Sequence, residues 1–529
     1  MIALCAALLS LAPGCAGDPL EESGEVMGGS EELSTVKAQR FVAAGTRYDQ
    51  LEAYATTGPL NRAQLDFTSD VTMGFRDEAL RSDWWGTTLE VLPGRVGTWT
   101  EISSGKYGYV TGDDGAFPPA PNRSMLSSQV TARWKQAAMQ SPAALIQYAL
   151  SHRKQVETLP DADWNGKKHK VISISGMSGW PQPVRLYFDP STRLPAKAET
   201  LEDDPVYGDA LYEVAYGDWR PAGATRAPYA ITETLAGSPL SESTRTEVID
   251  DPDLDEDAFT VPDAMKGVFD QDLADWGKRS SQYPIRWTGF LFPFFDDASR
   301  YMMPPQVLSS APGAQVLLYM VYAYNTMVVE MPTSIVVVEA PLYESVSSKV
   351  IADIKQRIPG KPIKYLASTH FHFDHSGGIR TYAAEGAELV VAAQQESYYR
   401  ELIGAPHTLR PDALARNPRS VTIRAVADKT SITEGGRTVT FYNLPQSHSD
   451  GCLVAVVEDT RMLFTSDLYS PGALGPDPTG PEHPKHDLYA RELLADLATL
   501  GIDSTKVTTF VGGHGFLGDW AELRIFAGQ

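Results

Sequence analysis

The chain is poor in three things that would each have pointed somewhere. It has 3 cysteines in 529 residues, Cys5, Cys15 and Cys452, and so no disulfide framework. Basic residues are scarce: 45 Lys and Arg against 67 Asp and Glu leave a formal net charge of −22. Such a surface repels phosphate backbones, and no Lys/Arg cluster stands out to overcome that, which excludes nucleic acid as the expected partner. Long apolar runs are missing too. The stretch Ile2 to Leu11 is far shorter than the roughly 20 residues that span a bilayer, and no later stretch reaches that length. What is present is ordinary: 43% hydrophobic and 21% charged residues describe a globular chain rather than a disordered or polytopic one. Its length suits two domains with short appendages.

The first apolar run ends in Ala12-Pro13-Gly14-Cys15, and polar Asp18, Glu21 and Glu22 follow. That order resembles a secretion signal, and Cys15 after small residues resembles the acceptor of a bacterial lipoprotein. The resemblance implies an extracytoplasmic protein of the bacterial cell envelope, with residues 1–15 as signal and Cys15 as a membrane anchor. Residues 16–35, rich in Gly, Ser and Glu, read as a tether.

From 36 to 265 the pattern is short alternating strands, among them Lys106 to Thr111 and Val171 to Ser175. Pro183 to Asp189 and Leu194 to Leu201 flank a Pro190-Ser191-Thr192-Arg193 turn, a hairpin by its turn chemistry. This half is expected to be a mainly antiparallel β domain with an early helix or two. Its strand spacing resembles the curved open sheets of bacterial lipoprotein carriers, which implies a binding or structural role, and its only histidines are His152 and His169. The acidic run Asp250 to Asp257 and Pro262 mark its end. Residues 266–310, with Phe290, Phe292, Phe294 and Phe295 close together, read as a connector packed between domains.

In residues 311–529 strands alternate with helices: Val316 to Tyr324, Met327 to Glu330 and Ser334 to Glu339, then a helix over Ser345 to Arg357. This is the pattern of an α/β domain. The strand Ile363 to Ala367 runs into Thr369-His370-Phe371-His372-Phe373-Asp374-His375-Ser376-Gly377-Gly378, with a helix expected over Ile379 to Ala384. Four candidate ligands fall in six residues. Imidazole nitrogen and carboxylate oxygen suit zinc and similar divalent ions, and the two glycines are expected to let the backbone turn tightly beneath the cluster. His448, Asp467 and His514 each follow the C-terminal end of a predicted strand, where loops distant in sequence converge.

The HxHxDH string with His, Asp and His downstream resembles the metallo-β-lactamase superfamily over about Val316 to His514. The resemblance implies an αββα sandwich with two divalent ions at its rim, zinc first, with iron or manganese as alternatives. Carried over by motif, His370, His372 and His448 would bind one ion, Asp374, His375 and His514 the other, and Asp467 would bridge them. Two ions about 3.5–4 Å apart lower the pKa of a shared water toward roughly 7 and provide a hydroxide nucleophile, with Asp374 as the catalytic proton carrier. An Asp at position 467, where lactamases carry Cys or Ser, resembles the glyoxalase II, lactonase and phosphodiesterase branches. Hydrolysis of a small ester, lactone or thioester is therefore expected. Two rival readings are a non-haem iron oxygenase or redox member of the same superfamily and a non-enzymatic envelope binding protein with a structural metal domain. His407, His483 and His486 lie in Pro-rich loops and are expected to be exposed, while Tyr469 and Ser470 are candidate substrate contacts.

Overall fold

A computed structural model of the chain describes residues 17–58, 60, 62–75, 78–89, 94–113, 121–177, 180–286, 302–322, 324–472 and 486–529. Cys5, Cys15, His483 and the four phenylalanines of the connector lie outside the described residues. No helix among the described residues is long and apolar enough to cross a membrane.

The N-terminal half is one antiparallel sheet of thirteen strands. Six strands from Ala38–Asp49 to Asn122–Ser124 step outward in chain order, and seven from Val156–Trp164 to Ser238–Asp250 step back. The two runs are joined in the middle of the sheet, where Ala38–Asp49 pairs with Ser238–Asp250, Gln39 opposite Asp250. The expected hairpin is present as Val184–Phe188 against Pro195–Asp204. Two helices join the halves of the sheet, Ser127–Met139 and Pro142–Ser151. The second is started by the Ser141 side chain accepting from Ala144 N, with Pro142 at the position that needs no donor. Ala137, Leu145, Ile146 and Ala149 from these helices pack on Phe41, Ile172, Val214 and Ile231 from the strands, all buried.

The expected tether is a correction. Residues 19–26 and 30–35 are helical, and Leu20, Met27 and Leu33 are fully buried. Asp18 caps the first helix by accepting from Leu20 N at 3.0 Å, and Arg153 binds Asp18 at 2.6 Å. Gln147 donates to the carbonyls of Leu33 and Val36. Three well-spaced apolar residues in a polar stretch were enough to dock it.

The C-terminal half is a four-layer sandwich of helix, sheet, sheet and helix. A seven-stranded sheet runs from Gln306–Ser309 to Ile423–Val426, and a six-stranded sheet from Lys429–Glu434 to Leu517–Gly518. The strand Gln306–Ser309 pairs with Val316–Val321, so the sheet begins inside the segment read as connector. Strand alternation sorts the layers. Val316 and Leu318 face inward onto Val439, Phe441, Leu453 and Phe464 of the second sheet. Leu317, Tyr319 and Val321 face outward, in the core beneath the helix Glu344–Arg357. The second sheet's other face packs under the helices His486–Thr499 and Trp520–Phe526.

The halves meet at a core, not at a linker. Leu51, Ala53 and Val206 of the first half are buried among Val337, Tyr343, Phe371 and Tyr398 of the second. His407, expected to be exposed, is buried at this seam. Its loop is held there because Asp209 N donates to Pro406 O at 2.7 Å and Thr408 N donates to Asp209 at 2.9 Å.

Candidate metal centre

Every candidate ligand stands just beyond a strand. Ile363–Ala367 ends before His370, Arg437–Leu444 before His448, Met462–Ser466 before Asp467 and Thr509–Gly512 before His514. The two sheets bring these ends to one rim. Residues Phe373–Ser376 form a short helix with His372 at its N-cap, which turns Asp374 and His375 the opposite way from His370 and His372. Gly377 and Gly378 sit at φ −60 and −97, so the tight turn expected of them is not their reason. A Cβ on Gly377 would strike the Leu342 carbonyl and the Phe373 ring, and one on Gly378 the Ser347 hydroxyl. They are glycine for close approach.

Around this frame the loops are pinned by side-chain amides. Asn325 Nδ2 donates to the carbonyls of Gly512 and Gly515, each at 2.9 Å, on either side of His514. Gln395 Nε2 donates to the carbonyls of Asp450 at 3.0 Å and Gly451 at 2.7 Å, just after His448. Ser466 takes φ 53, a left-handed conformation costly for a residue with a Cβ, immediately before Asp467.

All seven predicted residues come together, in two groups whose donor atoms lie within 4.8 Å of one another: His370, His372 and His448, and Asp374, His375, Asp467 and His514. Asp467 faces both. Its Oδ1 is 3.0 Å from His375 Nε2 and 3.2 Å from His514 Nε2, and its Oδ2 is 3.3 Å from His448 Nε2. Asp374 Oδ2 lies 3.2 Å from His375 Nε2 and 3.3 Å from His514 Nε2. His370 Nε2 and His448 Nε2 are 3.1 Å apart.

Burial and mutual charge pull these groups in opposite directions. Burial, then the neighbouring imidazoles, holds His370 and His372 well below the usual histidine range. Burial alone would do the same to His375 and His514, but Asp374, Asp467 and Glu339 raise His375, and Asp467 and Asp374 raise His514 to about 10. Burial likewise opposes ionisation of Asp374 and Asp467, yet His375 and His514 hold both well below the carboxylate range. The rim is a place where buried lone pairs must share positive charge. His372 Nδ1, His375 Nε2, Asp374 Oδ1 and Asp467 Oδ1 are buried without any hydrogen-bond partner. Nitrogen and oxygen donors so converged fit divalent ions, and two groups fit two.

Sequence reasoning missed two residues at this rim. Glu339 is fully buried; its Oε1 accepts from Thr369 Oγ1 at 2.7 Å and Ser466 Oγ at 2.9 Å, and its Oε2 is 2.9 Å from His375 Nδ1. Thr369 Oγ1 is 3.1 Å from His370 Nδ1. With both hydroxyl protons committed to Glu339, that contact is His370 Nδ1–H donating, which leaves Nε2 to ligate. The signal available was its place at the end of the strand Ile335–Val338, the same placement as the ligands. Glu52 comes from the N-terminal half, 3.2 Å from His372 Nδ1, and no local pattern marked it. Tyr469, a candidate substrate contact, is instead core: it is buried with its ring 5.7 Å from Phe510 and 5.1 Å from Phe526. Ser470 is also buried.

The model of the metallo-beta-lactamase superfamily matches residues 325–507. The C-terminal half carries a metallo-β-lactamase superfamily domain. Among solved structures, a metallo-beta-lactamase from Pontibacter korlensis is 16% identical, covering 42% of this chain and 98% of its own, with a TM-score of 0.29. The FIM-1 metallo-beta-lactamase from Pseudomonas aeruginosa in its mono-zinc form is 15% identical over 44% of this chain and 96% of its own, with a TM-score of 0.33. The chemotaxis sensor ODP, solved as a peroxy diiron species, is 14% identical over 43% of this chain and 93% of its own, with a TM-score of 0.32. No curated protein matches the chain. Membership assigns the domain to a class of metal-dependent hydrolases and oxygenases.

Proposed function

We propose that the C-terminal domain is a dinuclear metal-dependent hydrolase acting on a small ester, lactone or thioester. In this reading His370, His372 and His448 hold one divalent ion, Asp374, His375 and His514 hold the other, and Asp467 spans them. The observation that carries it is the divided orientation of Asp467, one oxygen toward His375 and His514 and the other toward His448. Two divalent ions, when bound, lower the pKa of a shared water toward about 7 and polarise a scissile carbonyl.

The chain's own residues do the rest. Asp374 Oδ1 is buried and unpartnered, placed to take a proton from the attacking water and return it to the leaving oxygen or sulfur. Glu339 and the Thr369 and Ser466 hydroxyls keep His370 in the tautomer whose Nε2 faces the rim. A net charge of −22 favours uncharged acyl substrates over phosphodiesters.

The donor set is compatible with iron as well as zinc, so the test separates hydrolysis from oxygenation. The full chain is stripped with chelator, reloaded separately with zinc, manganese or iron, and assayed on aryl esters, lactones and thioesters, and for oxygen uptake with a persulfide. Metal-restored hydrolysis supports the proposal. Oxygen uptake with iron alone, and no hydrolysis with any ion, would replace it by the oxygenase reading.

A further inference from the structure

The short helical turn Gln50–Glu52 and the residues after it leave the N-terminal sheet and cross the rim of the metal centre. Leu51 and Ala53 anchor the segment in the core of the second half. Asp450 N, two residues beyond His448, donates to Tyr54 O at 2.7 Å. His372 Nε2 donates to Ala53 O at 2.9 Å. Arg62 Nη1 donates to Glu52 O at 2.7 Å and fixes the turn from the other side.

The Ala53 contact decides which nitrogen of His372 carries the proton. A carbonyl only accepts, so the proton is on Nε2, and Nδ1 presents its lone pair. Glu52 Oε2, also an acceptor, faces that lone pair at 3.2 Å. Two acceptors at this distance repel unless a cation lies between them. Nδ1 has no hydrogen-bond partner, so no proton joins the two along the ring's donor direction. A shared third centre removes that repulsion and occupies the His372 lone pair. Donors that ligate one ion at about 2.0–2.2 Å stand about 2.8–3.6 Å apart at octahedral to tetrahedral angles. The same spacing, 3.1 Å, separates the Nε2 atoms of His370 and His448. Glu52, His372 and Asp374 also form a donor group with all atoms within 4.8 Å.

We propose that Glu52 is a further metal ligand, supplied by the N-terminal half to the ion that His372 binds. The inference rests on the dinuclear reading above. It makes the centre a joint product of both halves of the chain. An added carboxylate raises the number of protein donors around that ion and favours higher-coordinate, oxygen-accepting metals over strictly tetrahedral zinc.

The test is cobalt(II) titration of the metal-free full chain, wild type against Glu52→Gln, followed by chelator competition and visible absorption. The Glu52 side chain is 26% exposed, so the near-isosteric amide should fold, which circular dichroism checks. The wild type should bind two cobalt ions. In the variant one of the two should bind at least about tenfold more weakly, as expected for loss of a ligand, and the visible band of the remaining complex should intensify as its coordination number falls. Two cobalt ions in both proteins, with the same affinities and spectrum, overturn the Glu52 assignment and leave the dinuclear reading standing. Fewer than two in the wild type overturn the dinuclear reading, and the Glu52 assignment with it.

Discussion

Glu339 is the buried residue on which two of the proposed ligands depend, and exchanging it for glutamine changes charge while keeping shape and its φ of 69. In the native arrangement one carboxylate oxygen accepts from Thr369 and Ser466 while the other faces His375 Nδ1. An amide satisfies only one side. If its oxygen stays on the two hydroxyls, its NH2 faces His375 Nδ1 and favours the tautomer with the proton on Nε2, the nitrogen that must ligate. If it flips, the hydroxyls turn, and His370 Nδ1 loses its acceptor. Either way one imidazole is wrongly protonated, and Glu339→Gln should weaken metal binding by about 10- to 100-fold, or about 1.4–2.7 kcal/mol. Glu339→Ala leaves two buried hydroxyls without their acceptor, at roughly 1–3 kcal/mol each, and should lower the melting temperature of metal-free protein as well. Competition against a chromophoric chelator at fixed pH reads the first effect and thermal melting the second. Native affinity for both ions in Glu339→Gln would refute the tautomer argument.

Further outcomes follow from the seam between the halves and from buried charge. Burial raises Asp204 to about 7 from 3.8, so its neutral form stabilises the fold fully below pH 3.8, and that contribution is lost as pH rises through about 7. Asparagine keeps the bonds from Val206 N and Tyr207 N; Asp204→Asn should therefore melt near wild type at pH 4 and be more stable at pH 8, by roughly 1–4 kcal/mol, and equal melting at both pH values would contradict this. A fragment starting at Ala311 lacks the strand Gln306–Ser309 and uncovers the surface that receives Leu51, Ala53 and Val206. It should be poorly soluble or bind less metal than the full chain, a prediction that fails if it is soluble, melts cooperatively within a few degrees of the full chain and loads the same metal content.

The seven rim residues were legible because each follows an apolar run that ends at a turn, and sheets bring such ends together whatever the intervening sequence does. The α/β class was legible from alternating strands and helices, and the αββα order from the resemblance that the ligand string carries. Glu339 was less so: a single Glu after Ile335–Val338 looks like any polar strand end, and its role depends on hydroxyls that come from two other loops. Glu52 reaches His372 across more than 300 residues of chain, by a contact between two packed halves that no local period encodes. The tether was misread because Leu20, Met27 and Leu33 are too few to show a period, yet suffice once a sheet and Gln147 are there to receive them. His407 was misread because a Pro-rich loop is exposed only when nothing covers it, and Gly208 admits that loop without a side chain in the way.

Metal content of Asp467→Ala, measured by plasma mass spectrometry beside the wild type with circular dichroism to exclude misfolding, reaches the central claim most directly. A carboxylate that spans two cations offsets part of their mutual repulsion as well as ligating each. Its loss should take the chain from about two ions to one or fewer and reduce hydrolysis by on the order of a hundredfold or more, beyond the effect of changing an outer partner. Two ions retained with full turnover would contradict the dinuclear account.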